Sequence, residues 1–337
     1  MMLNLMLKKL LDKKNLESEE MAYCMERIMS GEVSEVQMAA FLTALKIKGE
    51  TVEEIAAAAR IMREKAERVV LGDTEALDTC GTGGDGSGTF NVSTAVALVA
   101  ASTGVKVAKH GNRSATSLCG CADVLEELGV NINQTPDRVK ICVENVNIGF
   151  MFAPLYHKSM KHVANTRKQL GFRTIFNILG PLSNPAGAAY QVLGVFNAEL
   201  VDMIAMVLNE LGTKHAMVVH GFDGIDEISM TGPTKVAEIQ DGRMESYTLS
   251  PEDYGFEPCK LSDLKGGKRE ENAAILRGLL GGERGPKRDM LLLNSGAALY
   301  VSGRADSIKE GIELARDAID SGKALDTLNR FVQASAC

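Results

Sequence analysis

A chain of 337 residues is longer than one compact core ordinarily supports, so two domains are expected. Hydrophobic residues at 45% and charged residues at 24% give ordinary globular composition, and no apolar run is long enough to span a bilayer. The formal net charge of −7 excludes coating of nucleic acid or an anionic membrane by bulk electrostatics, so an anionic ligand must be met by a local cluster of cations and amides.

Residues 1–14 alternate Leu and Met with Lys and Asp and lack the unbroken apolar stretch of a signal peptide, which leads to the expectation of a cytoplasmic protein. The first seventy residues read as helices only. Ser34 with Gln37 and Thr51 with Glu54 form capping-box patterns, and Gly31 and Gly49 stand where helix C-caps belong. Val36, Met38, Ala39, Phe41, Leu42 and Leu45 recur at helical spacing, as do Ile55, Ala58, Ala59 and Met62.

From residue 76 the pattern changes. A short apolar strand, 76–79, runs into glycines at 81, 83, 84, 86 and 88; a helix starts near Val92 and a strand covers 105–108. Strand, loop, helix and strand in so short a span make a βαβ unit and therefore a parallel sheet. Further strands are expected at 191–196 and 216–219, then at 235–239 and 245–249 around an Asp241-Gly242 turn, with helices dominating 272–334. Between them Gly180 to Gly187 holds two prolines and two glycines, a stretch expected to break helices. It reads either as a long surface loop or as a hinged return to the helical module.

Gly81, Gly83 and Gly86 match G-x-G-x-x-G, yet a dinucleotide site wants an acidic residue at the end of the next strand, and here Lys109, His110, Asn112 and Arg113 follow it. A P-loop fails because Ser87 follows Gly86. What remains is the shared physics: glycines let backbone amides face phosphate oxygens, and a helix N-terminus adds partial positive charge. Asn91, Ser93 and Thr94 open that helix with side chains able to bond phosphate, sugar or metal. Asp223, Asp226 and Glu227 follow another strand; they suit either a plain Asp-Gly turn or Mg²⁺ bridging a diphosphate. Tyr156 and His157 lie in an apolar stretch, with Arg167 suited to bidentate pairing with a carboxylate. The seven cysteines are scattered and read as reduced, packed thiols, while Cys119, Cys121, His157 and His162 make a poor zinc set.

Seven segments in order carry a resemblance. They are Asp78-Thr-Cys-Gly-Thr-Gly-Gly-Asp85, Phe90-Asn-Val-Ser-Thr94, Val107-Ala-Lys-His-Gly-Asn-Arg-Ser114, Ala122-Asp-Val-Leu-Glu-Glu-Leu-Gly129, Phe152-Ala-Pro-Leu-Tyr-His157, the run from Arg173 to Pro185, and His220-Gly-Phe-Asp-Gly-Ile-Asp-Glu227. Over nearly its whole length the chain resembles the anthranilate phosphoribosyltransferases of tryptophan biosynthesis. The resemblance implies a nucleoside-phosphorylase-like α/β fold: a small all-helical N-terminal domain plus a larger α/β domain with a mainly parallel central sheet. The helical domain would take 1–73, with part of 168–189 returning to it, and the α/β domain 74–167 and 190–337.

The resemblance further implies transfer of the phosphoribosyl group of phosphoribosyl diphosphate to the amine of anthranilate, with Mg²⁺ as cofactor. Gly81, Gly83, Gly84, Asp85, Thr89, Asn91, Ser93, Thr94 and Lys109 would hold phosphoribosyl diphosphate; Gly81, Asn112, His157 and Arg167 would meet anthranilate; Ser93, Asp226 and Glu227 would hold the metal. No residue is assigned as general base. A homodimer is implied, separate anthranilate synthase chains are conceivable partners, and neither nucleic acid nor membrane is expected. The family commonly has Lys and Ser where this chain has Leu118, Cys119 and Cys121, which weakens any phosphate contact from those side chains, because a thiol is a poor donor. A pyrimidine-nucleoside phosphorylase shares the layout but needs no acidic metal pair. A nucleic-acid-binding relative of the fold predicts a basic surface, against the sequence pI of about 5.4.

Overall fold

The computed structural model describes residues 2–114 and 118–336. Helices α1 (Met2–Leu11), α2 (Ser18–Met29), α3 (Glu35–Lys48) and α4 (Val52–Glu64) form the amino-terminal module. Thr51 and Glu54 make the complete capping box; at α3 Ser34 accepts from the Gln37 amide, without the reciprocal bond. Gly49 caps α3, and Gly31 follows the α2 cap with a φ of 74°, a conformation that only glycine adopts cheaply. Val36 departs from the expected apolar stripe: it is 80% exposed while Met38, Phe41, Leu42 and Leu45 are buried.

The rest alternates strands and helices: β1 (Leu77–Asp78), α5 (Val92–Ser102), β2 (Val107–Gly111), α6 (Cys121–Glu127), α7 (Pro136–Val146), β3 (Ile148–Phe152), α8 (Ala153–Tyr156), α9 (Lys161–Leu170), α10 (Phe176–Leu182), β4 (Tyr190–Gly194), α11 (Leu200–Glu210), β5 (His215–Gly221), β6 (Thr234–Gln240) and β7 (Arg243–Leu249). Helices α12 (Arg269–Leu280), α13 (Pro286–Val301), α14 (Ile308–Asp320) and α15 (Lys323–Ala336) complete the chain. The sheet order is β3-β2-β1-β4-β5-β6-β7, with β1 to β5 mutually parallel and β6 and β7 antiparallel. Alternation along each strand divides the core. Val192, Met217, Val219 and Val236 pack with α5 and α12–α15, whereas Leu193, Ala216, Val218 and Ala237 pack with α11 and the amino-terminal helices.

Two expectations need correction. Lys109 and His110 do not follow the second strand; they lie inside β2 and are buried, because Asp78 on the neighbouring strand and Thr79 just after it supply partners that make this burial tolerable. Gly180 and Pro181 do not break a helix, since they form part of α10. Pro181 stands next to the last residue of α10, and nearby carbonyls find donors elsewhere: Ser183 Oγ bonds Leu179 O at 2.7 Å and Gln191 Nε2 bonds Pro181 O at 2.8 Å. Helix α9 packs on α2 and α3, and α10 packs on α4.

Candidate active site

Adjacent parallel strands end at the same edge of the sheet, so the segments after β1, β2, β4 and β5 meet there. The glycine loop after β1 takes left-handed conformations at Gly83, Gly84, Gly86 and Gly88. Gly81 needs the absence of a side chain for another reason: a Cβ there would lie 3.0 Å from the Gly194 carbonyl. The loop is fastened at several points. Thr82 N bonds Gly194 O at 2.8 Å, Asp85 Oδ1 accepts from Ser87 N at 3.0 Å, and Thr89 bridges to Lys265. Arg173 donates to Gly84 O and lays its guanidinium 3.9 Å from the Phe196 ring centroid.

Lys109 reaches from β2 beneath this loop. Its Nζ is 3.0 Å from Thr79 Oγ1 and 3.4 Å from Ser93 Oγ, at the start of α5. Asn91 Oδ1 and Thr94 Oγ1 are buried there without a protein partner. Buried polar atoms without a protein partner are rare and are met by water, an ion or a ligand. Asp78 anchors the strand ends from within: Oδ1 accepts from His110 N at 3.2 Å and Oδ2 from Asn184 Nδ2 at 2.6 Å. Burial raises the Asp78 carboxyl to about 6, with Lys109 and Asn184 opposing that rise.

The acidic segment after β5 divides its labour. Asp223 builds the loop, accepting from Ser229 Oγ at 2.9 Å and Thr231 Oγ1 at 2.5 Å. Asp226 lies against the glycine loop, its N bonding Asp85 Oδ2 at 3.4 Å, and Glu227 lines the same cavity as Ser93 at the start of α5. Both carboxyls are pushed above their ordinary range, first by desolvation and then by neighbouring charge: Asp85 against Asp226, and Asp226 against Glu227. Together with Thr79, Gly81, Ser93 and Gly194 they line one cavity. Among the described residues no three His, Cys, Asp or Glu side chains converge as a ready metal set.

The remaining expected residues separate from this centre. Asn112 is exposed beyond β2, its Oδ1 bonded to Arg113 N at 2.8 Å. Arg113 does not join the anion cluster, because Asp123 and Glu126 of α6 hold it at 2.7 and 2.9 Å. His110 is likewise unavailable: its Nδ1 bonds Gly180 O at 3.2 Å. The His157 ring lies 5.0 Å from the His110 ring, with both nitrogens unpartnered, and desolvation lowers the pair to about 3 for His110 and about 4 for His157. Arg167 on α9 is half-buried over the Phe176 ring at 5.7 Å and, among the described residues, has no carboxylate partner. Burial lowers its pKa. Of the departing segment, Ser117 lies outside the described residues; Leu118 is exposed, and Cys121 Sγ bonds Asn112 O at 3.3 Å.

Sequence reasoning missed two residues. At Gly194 a Cβ would fall 1.5 Å from the Asp226 carbonyl oxygen, so the acidic loop rests directly on β4. Asn294, on α13, lines the cavity and bonds Ile228. A single strand-ending glycine and a lone Asn in an apolar helix give no local signal.

An edge with phosphate-type amides, a buried lysine and paired carboxylates, joined to a helical module, describes a glycosyltransferase. The model for the glycosyl transferase family helical bundle domain matches residues 5–66 and that for the a/b domain matches 73–325. An anthranilate phosphoribosyltransferase of Acetivibrio thermocellus is 54% identical over 332 residues, 98% of this chain and 96% of its own. The crystal structure of the Thermus thermophilus enzyme of that name is 47% identical with a TM-score of 0.93, covering 98% of this chain and 99% of that one. The Saccharomyces cerevisiae enzyme in complex with phosphoribosyl diphosphate and Mg is 32% identical with a TM-score of 0.92, covering 99% and 98%. The chain belongs to the anthranilate phosphoribosyltransferase family.

Proposed function

We propose that the protein transfers the phosphoribosyl group of phosphoribosyl diphosphate to the amine of anthranilate, releasing diphosphate, at the carboxyl edge of its sheet. The observation that carries this is the meeting of the glycine loop, Ser93 and the Asp226–Glu227 pair around one cavity, with Lys109 bonded to Thr79 and Ser93 of its lining. Glycine-loop amides at Gly81, Gly83 and Gly84, with Asp85 and Thr89 shaping the loop, receive the diphosphate. Asn91, Ser93 and Thr94 take the sugar and its phosphate, and Lys109 supplies fixed positive charge. Asp226 and Glu227, with Ser93, fit Mg²⁺: two desolvated, mutually repelling carboxylates present a hard oxygen set, which phosphate oxygens and water complete. Bound there, Mg²⁺ stabilises charge on the departing diphosphate.

The anthranilate nitrogen forms its bond to the anomeric carbon as the carbon–oxygen bond to diphosphate breaks, and the nitrogen then loses a proton. Arg167, lacking a carboxylate partner among the described residues, suits the anthranilate carboxylate; the neutral His157 and the exposed Asn112 border its approach. Packing of α10 on α4 supports assigning 1–73 and part of 168–189 to one domain, with 74–167 and 190–337 as the other, while packing of α9 on α2 and α3 extends the returning part back to Lys161. Exposed Leu5, Leu11, Val36 and Ile47 on α1 and α3 or at their ends support a homodimer through the helical module. A cytoplasmic location accords with the finding that, among the described residues, no helix is long and apolar enough to cross a membrane.

Purified protein mixed with phosphoribosyl diphosphate, Mg²⁺ and anthranilate should quench anthranilate fluorescence as diphosphate accumulates in equal amount. Undiminished fluorescence, or uptake of inorganic phosphate in its place, would overturn the assignment.

A further inference from the structure

The two carboxylates at Asp226 and Glu227 sit on a loop, and a loop holds a carboxylate only as firmly as its backbone is held. Asp223 organises the loop from within, and Ser229 N bonds Thr234 Oγ1 at 2.9 Å. Ile225, Ile228 and Met230 pack into the core against the helices behind it, and a side chain of α13 adds directional hydrogen bonds. Asn294 Oδ1 accepts from Ile228 N at 3.0 Å, and Asn294 Nδ2 donates to Ile228 O at 2.9 Å. The second Nδ2 hydrogen goes to Met290 O at 2.9 Å, one turn back along α13. An uncharged carboxamide thus does for residue 228 what a neighbouring strand's peptide group would do. It fixes the peptide planes on both sides of Ile228 and, through the first of them, the direction in which Glu227 leaves the backbone.

Asn294 is 2% exposed, on a helix whose neighbouring positions Leu291, Leu292, Leu293 and Ala297 are buried and apolar. A leucine there would pack equally well but would strand the N–H and C=O of residue 228 without partners. An aspartate would set a third negative charge close to two that already repel. Asparagine satisfies both conditions, and both of its amide hydrogens are spent. Helix α13 packs against α5, whose first turn carries Ser93, so one rigid element references both sides of the proposed metal position.

We propose that Asn294 is a positioning residue for the metal-binding carboxylates, acting by clamping Ile228 and setting the aim of Asp226 and Glu227. This rests on the reading of that pair as Mg²⁺ ligands.

The test measures Mn²⁺ binding by electron paramagnetic resonance, in the presence of phosphoribosyl diphosphate, alongside thermal midpoints and the Mg²⁺ dependence of turnover. In Asn294→Leu the Mn²⁺ affinity of the folded protein should fall about tenfold, the equivalent of one buried hydrogen bond. The Mg²⁺ concentration for half-maximal rate should rise in step, with kcat recovered at saturating Mg²⁺ and the KM for anthranilate unchanged. Should the leucine variant fail to fold, Asn294→Ser, whose hydroxyl can replace one of the two bonds, should move the same quantities in the same direction by about threefold. A lower melting temperature with wild-type Mn²⁺ affinity would reduce Asn294 to a structural residue and overturn the proposal. Wild-type Mn²⁺ affinity in Asp226→Asn/Glu227→Gln would instead remove the metal assignment, and the proposal with it.

Discussion

The two edges of one sheet treat charge in opposite ways. At the amino edge, Glu75 accepts from the Tyr190 hydroxyl at 2.5 Å and from Lys214, and these partners hold its carboxyl below the usual range. Lys106 there satisfies Val143 O, Glu144 O and Asn147 Oδ1 at once, and Arg304 Nε bonds Thr103 O at 3.0 Å. At the carboxyl edge Asp78, Asp226 and Glu227 are all pushed upward by desolvation, and Asn91, Thr94 and His157 carry polar atoms without protein partners. The strands are the same; the difference lies in whether the protein completes its own polar groups or leaves them for a ligand.

That contrast can be tested by paired substitutions. Asp226→Asn with Glu227→Gln should lower activity about a thousandfold or more, because charge stabilisation in the transition state is lost. The same change should raise the thermal midpoint at pH 7: carboxyls with raised pKa destabilise the fold once ionised, and amides do not ionise. A lower midpoint would break the comparison. Gly194→Ala should displace the Asp226 carbonyl and cost about a hundredfold in kcat/KM, the scale of an ångström-level misplacement. Gly104→Ala, at a left-handed position beside the amino edge with open space around it, should lower stability and leave the rate alone.

Smaller effects refine the picture. Arg167→Lys should raise the KM for anthranilate about tenfold with kcat retained, since a point charge replaces a two-pronged one. For His157 the folded pKa lies below the ordinary value of 6.5, at about 4. Its stabilising contribution is therefore complete above pH 6.5 and is lost as the pH falls through about 4. Urea midpoints of His157→Gln should accordingly decline less than wild type between about pH 7 and pH 4.5. Smallest of all, Glu75→Gln should slightly lower the melting temperature with no change in rate.

Much of this was legible in the residues. Glycines between an apolar strand and a polar helix start marked the loop after β1, whereas the acidic run after β5 left a plain turn and a metal site equally open. Helical spacing marked α3 and α4. Strand β3 was not recognised, because Phe152-Ala-Pro-Leu looks like pocket lining and strand identity there depends on pairing with β2. Lys109 and His110 read as a cationic cluster beyond a strand; only the buried partners Asp78 and Thr79, at the end of β1 and just past it, reveal that a strand can contain them. Arg113 looked like a phosphate cation until α6 placed two carboxylates beside it. Gly194 and Asn294 gain meaning only from a loop that is distant in sequence.

The carboxylate of Asp78 ties two strands to a distant segment, since one oxygen holds the His110 backbone while the other holds Asn184, just past α10. Remodelling the 176–185 stretch will therefore disturb the end of β1 and the middle of β2, where Lys109 lies, unless Asn184 is spared.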